Sequence, residues 1–345
     1  MRITGYFCLF WLSISACFAT TLEDIRPHTP NSQSWSEQWF YYLNDPNVGY
    51  FKISVQTYLT PEITDQKERA YVHFVYAPIG GTKTTVDKYF DDVQLEGDPT
   101  TGKFRFFVPG KVNVNNQSIS LALDDLNFKL DFIGEHKRYW QGKNPGKNPY
   151  GWIGDLPSVN TKYFIYTMGT ESSYEFSMGG LNHKGEGITY LDKGWFDSNK
   201  SQGFVFIGAF TPEQQLMMTG GYSKDFPFEL WVGRYFSEDQ DVLLKPSMVG
   251  FSVKKESDAC QGYFRIEIKK LGKKVIAEAQ SNLSDFYITD MPSMKVFGAE
   301  KPIMKSMYAT IKLKVYKWGK LVEEADFPQG LLEFSGDEMC SALEY

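Results

Sequence analysis

Helical periodicity is what this chain lacks most. Apart from short stretches near residues 211–215 and 335–343, no segment repeats its apolar residues at helical spacing. An α/β fold needs long amphipathic helices between its strands, so that class is excluded. Histidine is scarce, and His28, His73, His136 and His183 show no metal-ligand spacing. The four cysteines include no CxxC pair. No Gly-x-Ser-x-Gly elbow, Walker loop or Rossmann fingerprint occurs in its needed context, which argues against a serine hydrolase, an NTPase or a nicotinamide enzyme. A basic surplus is missing too. The formal net charge is -6 with acids and bases interleaved, so nucleic acid is not an expected partner. No basic amphipathic helix offers a membrane-surface anchor.

What the chain has is aromatic mass. Aromatics make up 16% of its 345 residues, and charged residues 23%. That length suits two domains with substantial cores. The N-terminus reads as a processing segment. Arg2 precedes a mostly apolar run over residues 3–14, and small residues follow at Ser15, Ala16 and Ala19. This is the order of a secretory signal peptide over residues 1–19, with cleavage after Ala19. The alternative is a lipobox, Ile14-Ser15-Ala16-Cys17, which would make Cys17 a lipidated membrane tether. Either way the chain is expected to be exported, to the periplasm or beyond. Cys260 and Cys340 then remain, either as one disulfide or as two free buried thiols, the latter slightly preferred.

Residues 20–34 are polar, carry Pro27 and Pro30, and read as an extended leader. From there the pattern is almost wholly β. Residues 50–58, 71–76, 104–108, 112–123 and 126–133 alternate with period two between Gly, Pro and Asn punctuation. Residues 137–160 break the pattern with a Gly-, Pro- and Asn-rich stretch, and a domain junction falls there. The expected domains are 35–160 and 161–345. The stretch carries Tyr139, Trp140, Tyr150 and Trp152, too apolar for a plain linker, so it packs over something, such as a cavity mouth. Strands resume over residues 163–168, 203–210, 228–236, 263–268, 274–279, 311–316 and 321–325. Many short strands with regular turns point to barrels or sandwiches, with no sequence repeat between the halves.

Tyr190-Leu191-Asp192-Lys193-Gly194-Trp195 carries most of the functional signal. A charge among aromatics is costly unless it is paired, hydrogen-bonded or used. On a strand Tyr190 and Asp192 share one face, and Leu191, Lys193 and Trp195 the other. Asp192 is the first candidate for chemistry; the competing reading is a carboxylate that braces a turn or pairs with an Arg. Glu37 is the second candidate, on the same face as Trp35, Trp39 and Tyr41, with Phe40 and Tyr42 opposite. A carboxyl in a dry aromatic cavity keeps its proton and can donate it to an alkene. The competing reading has Glu37 facing a Lys or Arg. Lys193 would orient a ligand's carboxylate or carbonyl, or else lie at a barrel rim.

Two segments resemble a known family. Ser36-Glu37-Gln38-Trp39-Phe40-Tyr41 is similar to the Glu-Trp-Trp-Tyr opening of the AttH-like, hydroxyneurosporene-synthase-like lipocalin group, which also takes in tocopherol cyclases. Residues 187–195 are similar to that group's Gly-x-x-Tyr-x-[Glu/Asp]-x-x-Trp-Gly signature, with Phe196 in place of the final glycine. The resemblance implies an all-β chain of two tandem lipocalin- or calycin-like domains. No cofactor and no metal are expected. The expected function is binding of a hydrophobic or amphipathic small molecule in an aromatic-lined cavity, by Trp39, Tyr41, Trp140, Trp152, Tyr190, Lys193 and Trp195. The alternatives are an acid-catalysed hydratase, cyclase or isomerase acting through Asp192 or Glu37 on an isoprenoid-like substrate, and a non-catalytic envelope module.

Overall fold

The computed structural model describes residues 25–98, 101–140, 148–154, 162–197, 201–223, 228–246, 250–289, 292 and 303–340. The signal segment, Cys17 and the side chain of Trp152 lie outside the described residues. Strand accounts for 68% and helix for 4% of the chain. The first sheet has eleven strands: β1 (Trp35–Asp45), β2 (Gly49–Leu59), β3 (Arg69–Pro78), β4 (Thr84–Phe90), β5 (Gln94–Asp98), β6 (Lys103–Val108), β7 (Val112–Asn115), β8 (Ser118–Leu123), β9 (Leu126–Phe132), β10 (Lys162–Met178) and β11 (Leu181–Phe196). Their order is β4-β3-β2-β1-β11-β10-β9-β8-β7-β6-β5.

The second sheet repeats that plan. It comprises β12 (Ser201–Phe210), β13 (Gln215–Ser223), β14 (Leu230–Phe236), β15 (Asp241–Leu244), β16 (Phe251–Asp258), β17 (Tyr263–Lys270), β18 (Lys273–Gln280), β19 (Tyr287–Thr289), β20 (Ile303–Lys317) and β21 (Lys320–Gly336). In both sheets the first strand pairs antiparallel with the last, β1 with β11 and β12 with β21. The two sheets curl into half-barrels, the arrangement of two tandem lipocalin-like domains. The all-β expectation therefore holds. The repeat is one of topology, carried by alternation and turns, and so leaves no trace as sequence similarity.

The expected junction at 160/161 precedes β10, and the sheets change over between residues 196 and 201. The long β10–β11 hairpin closes the first sheet on β1, so it belongs with the residues before it. Alternation explains how each sheet curls. Trp39, Phe74, Phe104, Phe106 and Phe128 point to one side and merge into one core. Phe74 and Phe128 have ring centroids 5.3 Å apart although β3 and β9 are not neighbours in the sheet. The barrel interiors are thus filled with side chains, as small barrels allow. Trp231 and Phe264, 5.6 Å apart, bridge the second sheet in the same way.

β6 to β9 alternate between buried residues and half-buried or exposed ones, whereas β1, β2 and β3 are buried almost throughout. The second domain covers their outer face. A third cluster, including Tyr42, Tyr50, Tyr190, Phe206, Phe210 and Met307, fills the layer between the barrels. Polar staples cross it: Asn44 Nδ2 donates to the Phe210 carbonyl at 2.7 Å, and Gln329 Nε2 to the Ala77 carbonyl at 3.1 Å. Arg234, paired bidentately with Asp241, also donates to the carbonyls of Arg138 and Tyr139. Cys260 and Cys340 form a disulfide across the second domain rather than the slightly preferred free thiols. Closing a loop of 80 residues by a covalent link stabilises by roughly 4 kcal/mol in the chain-entropy model.

Candidate functional site between the barrels

β11 divides its charges as alternation demands. Leu191 and Trp195 belong to the first barrel's core, and Tyr190 to the layer between the domains. The two carboxylates of interest therefore lie on opposite sides of one sheet. Glu37, with no side-chain exposure, is 2.6 Å from the Lys193 ammonium. Its Oε1 also lies 2.7 Å from His28 Nδ1, and its Oε2 accepts from the His28 backbone at 2.8 Å. Lys193 Nζ lies 4.7 Å from the ring of Trp39 and 4.8 Å from that of Trp195, and it donates to the Arg26 carbonyl at 2.5 Å. Both carboxylate oxygens of Glu37 and the Lys193 ammonium thus have partners within the protein, while Trp35 Nε1 and Tyr41 Oη on the same face have none among the described residues. That geometry favours the ion-pair reading of Glu37 over a proton donor. Trp39, Tyr41, Lys193 and Trp195 stand in the same packed interior, which pins the leader at residues 25–28 to the barrel.

Asp192 faces the other way. Its Oδ2 accepts from Tyr163 at 2.7 Å and from Tyr190 at 2.9 Å. Its Oδ1 is buried and has no hydrogen-bond partner among the described residues. Desolvation, only partly offset by the two tyrosine hydroxyls, pushes the carboxyl up to about 7. With Oδ2 occupied by two donors, the proton of the neutral form belongs on Oδ1.

Around it lie groups from both domains. Glu333 on β21 accepts from Tyr42 at 2.7 Å and pairs with Lys305 of β20 at 2.9 Å. Desolvation raises the Glu333 carboxyl, but Lys305, Lys52 and the Tyr42 hydroxyl outweigh it and hold it low. Lys52 on β2 is fully buried, and its Nζ has no hydrogen-bond partner among the described residues. It lies 5.7 Å from the ring of Phe40 and 5.4 Å from that of Tyr42. Desolvation, with repulsion from Lys305, drives its pKa well below the usual amine range. Ser54 Oγ and His73 Nε2 on the same face are likewise buried without partners among the described residues. The walls are aromatic: Tyr190 stacks on Phe210 at 4.4 Å and Tyr42 on Phe206 at 6.2 Å.

Of the residues singled out from the sequence, Asp192 and Tyr190 are hydrogen-bonded to each other at this interdomain layer, and Trp140 belongs to the same hydrophobic cluster as Tyr190. Glu37, Trp39, Tyr41, Lys193 and Trp195 do not. Tyr42, Lys52, Tyr163, Lys305 and Glu333 were not singled out. For three of them the signal was the one that flagged Asp192, a charge inside an apolar run: Phe51-Lys52-Ile53, Met304-Lys305-Ser306-Met307 and Leu332-Glu333-Phe334. His73 was read as one of the scattered histidines and turns out to be 1% exposed.

No family model and no curated protein sequence matches the chain. Solved structures do. A structure of CghA with Sch210972 aligns at TM-score 0.61 and 11% identity over 91% of this chain and 94% of that one. An AttH-like protein from Nitrosomonas europaea aligns at 0.51 and 12%, over 91% and 95%. Kievitone hydratase from Nectria haematococca aligns at 0.52 and 10%, over 92% of each chain. At these identities the likeness is one of fold, and it spans both domains.

Proposed function

We propose that this chain binds an apolar or amphipathic small molecule between its two barrels, with Asp192 as the acid that meets it. One observation carries the reading. Asp192 Oδ1, Lys52 Nζ, Ser54 Oγ and His73 Nε2 share one aromatic-walled face, are buried, and lack hydrogen-bond partners among the described residues. Buried polar atoms are almost always satisfied, and a cluster of exceptions on one face marks a place for a ligand's polar groups. Around Glu37 the carboxylate and the Lys193 ammonium satisfy each other, although Trp35 Nε1 and Tyr41 Oη on that face are also buried without hydrogen-bond partners among the described residues. A mass spectrum of the organic extract of the purified protein tests the reading. An apolar compound present with wild type and depleted with Asp192→Asn supports it; identical extracts contradict it.

A catalytic reading is favoured by the state of Asp192. A carboxyl that keeps its proton to about pH 7 can protonate an alkene or carbonyl, and aromatic walls stabilise the cation that results. Chemistry of the hydratase, cyclase or isomerase kind needs that group. One neighbour in fold is a hydratase and another was crystallised with a small molecule, which agrees with this reading. Ties to hydroxyneurosporene synthases and tocopherol cyclases rest on the sequence motifs alone. An envelope module without a ligand would instead have Asp192 fully satisfied.

Export belongs to the same proposal. The positive start, apolar run and small residues up to Ala19 support it, as does the Cys260–Cys340 disulfide, a bond of oxidising compartments. The mass of the mature N-terminus separates cleavage after Ala19 from a lipid tether on Cys17.

A further inference from the structure

His73 is the group in this layer that the acid reading leaves unused. It lies in register with Ser54 of β2, Ser54 with Phe40 of β1, and Phe40 with Asp192 of β11. With strands about 4.8 Å apart, His73 stands about 14 Å from Asp192 along one row of the sheet. Its Nδ1 is 2.8 Å from Asp87 Oδ1, and the Tyr71 hydroxyl donates to the same oxygen. Desolvation raises the Asp87 carboxyl, but the bonds from His73 and Tyr71 outweigh it and keep it ionised. A carboxylate only accepts, so Nδ1 carries the hydrogen of that contact. Nε2 is then left as a bare lone pair.

The surroundings preserve that state. Desolvation, partly offset by Asp87, lowers the imidazole pKa to about 4, and Lys52 and Lys305 act in the same direction. Tyr287 of the second domain stands over the ring at 5.8 Å. Nε2 is therefore a buried acceptor with no donor among the described residues. A purely structural imidazole would need only the Asp87 bond, and nothing in that role calls for a second nitrogen buried beside Ser54.

We propose that His73 accepts a hydrogen bond from a hydroxyl, phenol or enol O–H of the ligand, and that Asp87 and Tyr71 are the positioning residues that fix its tautomer. The inference rests on the interdomain site proposed above. It narrows the ligand to apolar molecules that carry such an O–H at the end remote from Asp192.

Fluorescence titration with 1-naphthol and with its methyl ether, 1-methoxynaphthalene, tests it. Wild type should bind the naphthol at least tenfold more tightly than the ether. His73→Phe should bind both with the affinity of the ether, and Asp87→Asn should lose part of the discrimination. Equal affinities in wild type, or discrimination that survives His73→Phe, overturns the role of His73 and leaves the interdomain site standing. Failure of wild type to bind either probe overturns the site as well. Because His73→Phe can disturb folding, nitrogen-15 spectra of the wild-type imidazole give a second reading. Hydrogen on Nδ1 is expected; hydrogen on Nε2 overturns the proposal.

Discussion

The two faces of the β1–β11 strand pair carry the same ingredients and put them to opposite ends. Inside the first barrel, Glu37, Lys193 and His28 sit among Trp39 and Trp195, and each polar end meets another. Between the barrels, Asp192, Lys52 and His73 sit among Tyr42, Phe40 and Tyr190, and each retains an atom without a partner among the described residues. A charge among aromatics does not declare its role; its partners do. Where the partner is a nearby charge the cluster holds the fold together. Where the polar atom is left over, the cluster is suited to a ligand.

That contrast can be broken most forcefully at Lys193. Lys193→Met removes one member of a buried pair and leaves Glu37 charged and dry, so stability should fall by about 3–5 kcal/mol in denaturant unfolding. A change below about 1 kcal/mol would erase the distinction between the two clusters. The next effect is one of pH. Asp192 titrates at 3.8 in its ordinary state and at about 7 in the fold, so its contribution is fully present below about pH 4 and lost as pH rises through 7. Ionising it in place costs about 4 kcal/mol at 1.4 kcal/mol per pH unit. Asp192→Asn should therefore match wild type near pH 4 and exceed it in stability near pH 8. Parallel curves at the two pH values would contradict the buried acid.

Lys52→Met is the mirror of Lys193→Met. It removes an amine with no hydrogen-bond partner among the described residues, so stability should rise by about 1–2 kcal/mol while ligand affinity falls. A loss of stability would show that Lys52 is paired after all. The smallest effect belongs to Tyr163→Phe, which deletes one of two donors to Asp192 Oδ2. About 1 kcal/mol should be lost, and the Asp192 carboxyl should titrate higher still.

The sequence made much of this legible. Period-two alternation placed Tyr190 and Asp192 on one face and Leu191, Lys193 and Trp195 on the other, as the fold has them. It also set Trp39 and Tyr41 apart from Phe40 and Tyr42. What alternation could not say was which face looks inward, because β1, β2 and β3 are buried on both sides. The outer burial comes from strands some 150 or more residues further along the chain: Tyr42 meets Glu333, and Asn44 meets Phe210. The partner of Glu37 was equally hidden, since Lys193 pairs with it through β1–β11 register. The Gly- and Pro-rich stretch that suggested a junction is followed by β10 and β11, which continue the first sheet.

The central claim is that one carboxyl on this strand pair keeps its proton for a ligand while the other is ionised and paired. Infrared difference spectra between wild type and each of Asp192→Asn and Glu37→Gln test it most directly. At pH 6 a protonated-carboxyl band should appear in the Asp192 difference, fade as the pH passes 7, and be absent from the Glu37 difference. A band assigned to Glu37 instead, or an Asp192 carboxylate already ionised at pH 5, would contradict the account.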